Sequence, residues 1–187
     1  LDFATTVAAV NKVKVRRLRE LELPIGWVND GDGKIITDAQ EALEIFDRRN
    51  SGGLNPVGGA GETLGGHKGY GLGVFSHILS GVIPGASFSP VRIKNSAKNT
   101  PDDLGHYFQV INPESFRSLS EYNRDIEVMI ETLKKVEPMD PNKPVLVPGE
   151  PERISQAIRL KKGIPVNQNL HDIIENVAKN AGVECLL

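Results

Sequence analysis

Apolar residues return at helical spacing along much of this chain. Between Ala4 and Leu21 they fall at Val7, Val10, Leu18 and Leu21, which predicts a helix with one buried face. A short helix is expected from Asp38 through Phe46. Another is expected from Lys68 to Leu79, where Leu72, Phe75 and Leu79 share a face. Ser118 and Glu121 form a capping box, a hydroxyl at the helix start and a carboxylate three residues on. The helix behind them carries Leu119, Tyr122, Ile126, Met129, Ile130, Leu133 and Val136. A further helix is predicted from near Pro151 to Gly163, with proline in its first turn and glycine past its end. The last helix carries Leu170, Ile173, Ile174, Val177 and Ala181 and stops at Gly182.

Strand signals are fewer. "LDF" at the start reads as the end of a strand, "GHYFQVINP" (105–113) as a strand closed by Asn112-Pro113, and "VLV" before Pro148-Gly149 as a third. The opening Leu1 and its apolar neighbours predict a chain that begins inside a longer protein. Repeated breakers mark "LPIGWVNDGDGKIITD". Its "NDGDGK" lacks the regular oxygen ligands and closing glutamate of a calcium loop, so a plain turn is expected.

Composition narrows the function classes. Lys plus Arg number 22 and Asp plus Glu 24, a net charge of −2, which gives no reason to expect nucleic acid or an acidic membrane as partner. No apolar run approaches the roughly 20 residues that span a bilayer. The single cysteine, Cys185, rules out an intrachain disulfide framework and a cysteine-built metal site. A cytoplasmic setting is expected. The basic run Lys12, Lys14, Arg16, Arg17 and Arg19 reads as a solvated helix face, or as a rim that attracts an anionic ligand.

Candidate chemistry gathers in residues 51–72, a glycine-rich loop that runs into "GGHKGYGL". Gly61 to Gly66 matches the spacing of a phosphate loop, but His67 stands where lysine is required. Gly69 follows Lys68 where a hydroxyl should hold magnesium, so nucleoside triphosphate hydrolysis is rejected. The dinucleotide template G-x-G-x-x-G fails as well, because Gly69-x-Gly71 leads to Val74 and Gly71-x-Gly73 to Ser76. A looser idea survives. Amides at a helix start, the helix dipole and the Lys68 charge together suit an anion such as a pyrophosphate. Taken singly, Lys68 reads equally as a surface lysine and His67 as a loop histidine.

"GGHKGYGL" with the following "FSHILSGVIPGASF" resembles the malate/L-lactate dehydrogenase family of NAD(P)-dependent oxidoreductases, which lacks the ordinary Rossmann fold. "LDFATT", "LPIGWVNDGDGKIITD", "LGHYFQVINPESF" and "VLVPGEPE" resemble further family segments in the family's order, and together they cover nearly all of the chain. The chain resembles the family's C-terminal half. The resemblance implies an α/β fold, a mixed sheet flanked by helices. It implies hydride transfer between NAD or NADP and the carbon of a 2-hydroxy or 2-oxo acid, malate/oxaloacetate or L-lactate/pyruvate foremost and sulfolactate next. It also implies a homodimer. The family's catalytic histidine and carboxylate-binding arginine lie in the N-terminal half, and none of His67, His77, His106 or His171 matches that histidine. No catalytic residue and no metal ligand is therefore assigned.

Cofactor-binding residues do carry over. Asp2, Phe3 and Ala4 correspond to a segment lining the dinucleotide, His67 and Lys68 to a loop pair, and Gly149, Glu150 and Pro151 to a second contact turn. Read without the resemblance, Asp2 could instead cap a helix starting at Ala4, and Gly149-Glu150 could be a turn and a first-turn acid. His77 departs from the acidic residue common in the family and reads as surface variation. Residues 1–112 are expected to form part of the cofactor-binding domain. Residues 113–187 are expected to be a mainly helical segment packing on the N-terminal half. Two other classes remain open: a module that holds a nucleotide without chemistry, and an assembly domain whose glycine loop is only flexible.

Overall fold

The computed structural model describes residues 2–48, 51–87 and 103–186. They divide into two compact units, one from residues 3–107 with 166–186 and one from Asp2 with residues 108–165.

The larger unit is organised by a short antiparallel hairpin. Strands β1 (Val28–Asn29) and β2 (Ile35–Ile36) pair Val28 with Ile36, and β3 (Gly53–Leu54) joins the other edge of β1, giving the order β2-β1-β3. The "NDGDGK" turn is the plain turn expected: Asp30 Oδ1 accepts from the Asp32 and Lys34 amides at 3.0 and 2.8 Å. Helix α2 (Ala39–Arg48) packs on these strands, and helix α1 (Val10–Leu18) packs on α2. Asp38 caps α2 through its carboxylate and the Glu41 amide at 2.6 Å. The core is Val13, Leu23, Val28, Ile36, Ala39 and Ala42, with Trp27, Leu43, Ile45, Phe46 and Leu54 against it.

Helix α1 is shorter than its apolar spacing predicts. Residues 5–7 are engaged elsewhere: Val7 N–H donates to Asn55 O at 2.9 Å, Val57 N–H donates to Thr5 O at 3.0 Å, and Thr6 bridges Pro56. Strand-like pairing with 55–57 takes the backbone groups that a helix would have used. Asp2 therefore caps nothing at Ala4, because the helix begins only after Ala9.

Helix α3 (Gly66–His77) follows the glycine loop and passes into one π-helical turn, Ile78–Val82. In the same unit, a C-terminal helix (Gln168–Ala181) docks on α1. Asn167 caps it at the Leu170 amide, and the side-chain amides of Asn167 and Asn169 donate to Leu18 O at 3.4 and 2.8 Å. One side chain thus starts one helix and helps to satisfy a terminal carbonyl of another.

The smaller unit holds a 3-10 turn (Pro113–Ser115), helix α4 (Leu119–Lys134) and helix α5 (Glu150–Lys162). The C-terminal helix at 168–181 is α6. The capping box forms: Glu121 N–H donates to Ser118 Oγ, whose hydroxyl donates back to Glu121 Oε2 at 2.6 Å. No described residue between 108 and 165 is buried.

The mixed sheet expected from the resemblance is not what the described residues form. Their sheet is wholly antiparallel, with strands of two residues. Residues 105–112 and 145–147 belong to no strand, Asp2 and Phe3 have no regular structure, and Leu1 lies outside the described residues. Alternation marks a segment able to pair, but a strand exists only where a neighbouring edge supplies the ladder. Among the described residues no helix is long and apolar enough to cross a membrane.

Candidate functional site

The glycine loop is a packed structure and not a linker. A Cβ at Gly66 would collide with Gly59 O, one at Gly69 with Val57 O, and one at Gly58 with the Gly65 carbonyl. The loop backbone therefore lies directly on the first turn of α3, an approach that only glycine permits. Gly65, at φ +86°, turns the chain into the helix, and Lys68 N–H donates to its carbonyl at 2.9 Å. No side chain caps this end and no acid stands in its first turn, so neither of these offsets the positive end of the dipole. His67 and Lys68 are exposed beside it.

At the far end of α3 the His77 ring lies against Gly81, where an added Cβ would come within 2.5 Å of His77 Cε1. The backbone widens into its π turn at that point, a feature common near functional sites.

The second region belongs to the smaller unit. Gly149, at φ +93°, is the N-cap of α5 and turns the chain from residues 146–148 into that helix. Asp2, residues 146–149, Pro151 and Glu152 line a cavity of about 470 Å³. Three of the residues carried over from the resemblance, Asp2, Gly149 and Pro151, thus meet at one cavity although about 150 residues separate them in the chain.

Glu150 does not line that cavity. Its side chain is only 12 % exposed and turns inward. Oε1 accepts from Lys134 Nζ at 2.6 Å, and Oε2 accepts from the Val147 amide at 3.0 Å. Glu150 N–H donates in turn to Val147 O at 3.1 Å. The hydrogen bond from Lys134, then that from Val147, hold the Glu150 carboxyl below the usual glutamate range. Lys134 was not singled out by the sequence: a lysine in the last turn of a helix is ordinary, and its partner lies 16 residues on.

Phe3, Ala4, His67 and Lys68 belong to the larger unit, where Phe3 and Ala4 are exposed. On α6, His171, Asp172 and Glu175 offer donor atoms within 4.8 Å of one another. Asp172 already accepts from Gln168 Nε2 at 2.7 Å, and Asp172 and Glu175 are exposed, as on any solvated helix face.

The family model described as malate/L-lactate dehydrogenase matches residues 1–175. The chain belongs to the malate/L-lactate dehydrogenase family. It is 36 % identical over 186 residues to the malate dehydrogenase of Pyrococcus horikoshii, covering 100 % of this chain and 49 % of that one. It is 30 % identical to the L-sulfolactate dehydrogenase of Methanocaldococcus jannaschii, covering 98 % of this chain and 48 % of that one. Among solved structures, the malate dehydrogenase of Entamoeba histolytica superposes with a TM-score of 0.86 at 26 % identity, covering 100 % of this chain and 52 % of that one. The chain spans about half the length of these family relatives.

Proposed function

We propose that this chain supplies the cofactor-holding part of an NAD(P)-dependent dehydrogenase that interconverts a 2-hydroxy acid and a 2-oxo acid. The observation that carries the reading is the meeting of Asp2, Gly149 and Pro151 at one cavity in a member of this family. The donor set suits a dinucleotide. A carboxylate opposite a glycine turn can accept from ribose hydroxyls. An uncapped helix start beside Lys68 suits a pyrophosphate. Asp2, Phe3, Ala4, His67, Lys68, Gly149 and Pro151 would hold the cofactor, and Glu150 would support the turn. The nicotinamide supplies the hydride chemistry when bound. This chain's residues bind and orient it.

Malate/oxaloacetate and L-lactate/pyruvate are the substrates of first choice. Sulfolactate comes next, since one relative is named an L-sulfolactate dehydrogenase. The acid/base histidine and the carboxylate-binding arginine would come from the rest of the family polypeptide, its N-terminal half. In this reading residues 1–112, with the turn at 149–151, serve the cofactor, and the exposed apolar side chains of the mainly helical remainder pack on that half. The assembled enzyme would be a cytoplasmic homodimer.

A second reading is a module that holds the dinucleotide without chemistry, since none of His67, His77, His106 and His171 matches the family's catalytic histidine. Loss of NADH or NADPH absorbance with oxaloacetate, pyruvate and sulfopyruvate in turn separates the two. Turnover establishes the dehydrogenase and names its acid and cofactor. Tight NADH binding without turnover favours the module. Neither binding nor turnover removes both.

A further inference from the structure

We infer that Lys134 is a positioning residue for the cofactor turn and acts through Glu150. The inference rests on the cofactor reading above and extends it to a residue 16 positions before the turn, at the end of another helix.

The geometry is a closed set of contacts around residue 147. Glu150 grips Val147 twice, its amide donating to the Val147 carbonyl at 3.1 Å and its carboxylate accepting from the Val147 amide at 3.0 Å. Between them lies Gly149, in a left-handed conformation that carries no side chain to lock it. These contacts and Pro148 restrain how residues 147–149 turn, and this stretch lines the same cavity as Asp2. A glutamate carboxylate pivots on flexible torsions, so it holds the turn only if its other oxygen is anchored. Lys134 Nζ supplies that anchor at 2.6 Å, while Arg153 stands off at 3.9 Å. Charge-assisted hydrogen bonds of this length are the strong ones. Glu150, expected from the resemblance to touch cofactor, is therefore the link between the α4 terminus and the cavity wall.

The test compares Lys134→Met and Lys134→Arg with the unsubstituted chain, using two readouts. One is hydrogen exchange at the Val147 amide, which reports the latch without any ligand. The other is NADH affinity by fluorescence titration. The expected result is faster Val147 exchange and about tenfold weaker NADH binding in Lys134→Met, with both restored in Lys134→Arg. A Lys134→Met/Glu150→Gln double variant should be no worse than the poorer single variant, because the two residues act in series. Faster exchange with unchanged NADH affinity would overturn the positioning role while the cofactor reading stands. Unchanged exchange would overturn the latch. No NADH binding by the unsubstituted chain would sink the cofactor reading itself, and the positioning role with it.

Discussion

Val13, Val28 and Ile36 are fully buried, whereas Val110, Leu160 and Met139, no less apolar, stand 96 %, 81 % and 104 % exposed. The first three belong to the hairpin unit and the others to the 108–165 unit. Both regions are built from the same amphipathic logic. Helix α2 and helix α4 each carry one apolar face, yet α2 lies on a sheet and α4 leaves Leu119, Val128, Met129 and Leu133 between 43 % and 57 % exposed. Periodicity creates a face in both. Only a neighbouring element converts that face into stability, at about 25 cal/mol per Å² of apolar surface removed from water. The hairpin unit has such neighbours among its own residues. We propose that the other half of the family polypeptide provides them for 108–165.

The largest effect should separate the two regions directly. Ile36→Ala empties a fully buried site and should cost about 2–5 kcal/mol in denaturant unfolding followed by Trp27 fluorescence. Leu160→Ala removes as large a side chain from an exposed position and should stay within about 0.5 kcal/mol. Equal losses would mean that the 108–165 unit buries Leu160 in solution. That would remove the contrast.

A smaller effect tests the glycine loop. Gly69→Ala sets a methyl against Val57 O and should cost about 1–3 kcal/mol, since backbone and not a flexible side chain must yield. Gly71→Ala, two residues on in the same helix, meets nothing within 4 Å and should gain about 0.5–1 kcal/mol from helix propensity. Thermal unfolding of both variants checks the pair. Matching shifts would show that the loop does not rest on α3.

These glycines also show what could be read in advance. Caps were legible because they are local: Ser118 with Glu121 marks the start of one helix, Pro151 and Gly163 mark the first turn and the end of another, and the structure places them so. The shortening of α1 was not legible, because the bonds that claim residues 5–7 come from residues 55–57, about fifty positions away. The absence of a strand at 105–112 has the same origin, a partner edge that alternation cannot reveal. At the candidate site the resemblance indicated Asp2 and Gly149, and their cavity became visible only once the fold brought them together. It also indicated Glu150 as a cofactor contact, and could not indicate that its carboxylate faces Lys134.

A further step down in size is the cap of α4. Ser118→Ala removes the acceptor of the Glu121 amide and should cost about 1 kcal/mol. The cost should appear in the helical signal of the 108–165 unit and leave the Trp27 transition unmoved, because the hairpin unit holds its own core. A shift in both transitions would make the two units one cooperative body.

The mildest perturbation is acid, and its sign is fixed by where the shifted carboxylates lie. Glu121, Asp125, Asp140 and Glu150, all in the 108–165 unit, are held below their ordinary values. The causes are chiefly hydrogen bonds from Ser118, from Arg117, from the Asn142 amide and from Lys134 respectively. A carboxylate with a depressed value in the folded state stabilises that state fully above its unfolded value, 4.5 for glutamate and 3.8 for aspartate. The contribution is lost as pH falls through the lower folded value. Between neutral pH and about pH 5 these contributions should be constant, and below that they should fade as the four groups take up protons. Circular dichroism from pH 7 to 3 should therefore show helix loss, while fluorescence of Trp27, the single tryptophan, still reports an intact hairpin unit. Glu121→Gln, which cannot titrate, should flatten part of the acid limb. Simultaneous loss of both signals would place the acid-sensitive contacts in the hairpin unit as well, and the contrast between a self-sufficient core and an uncovered helical segment would then have no basis in pH.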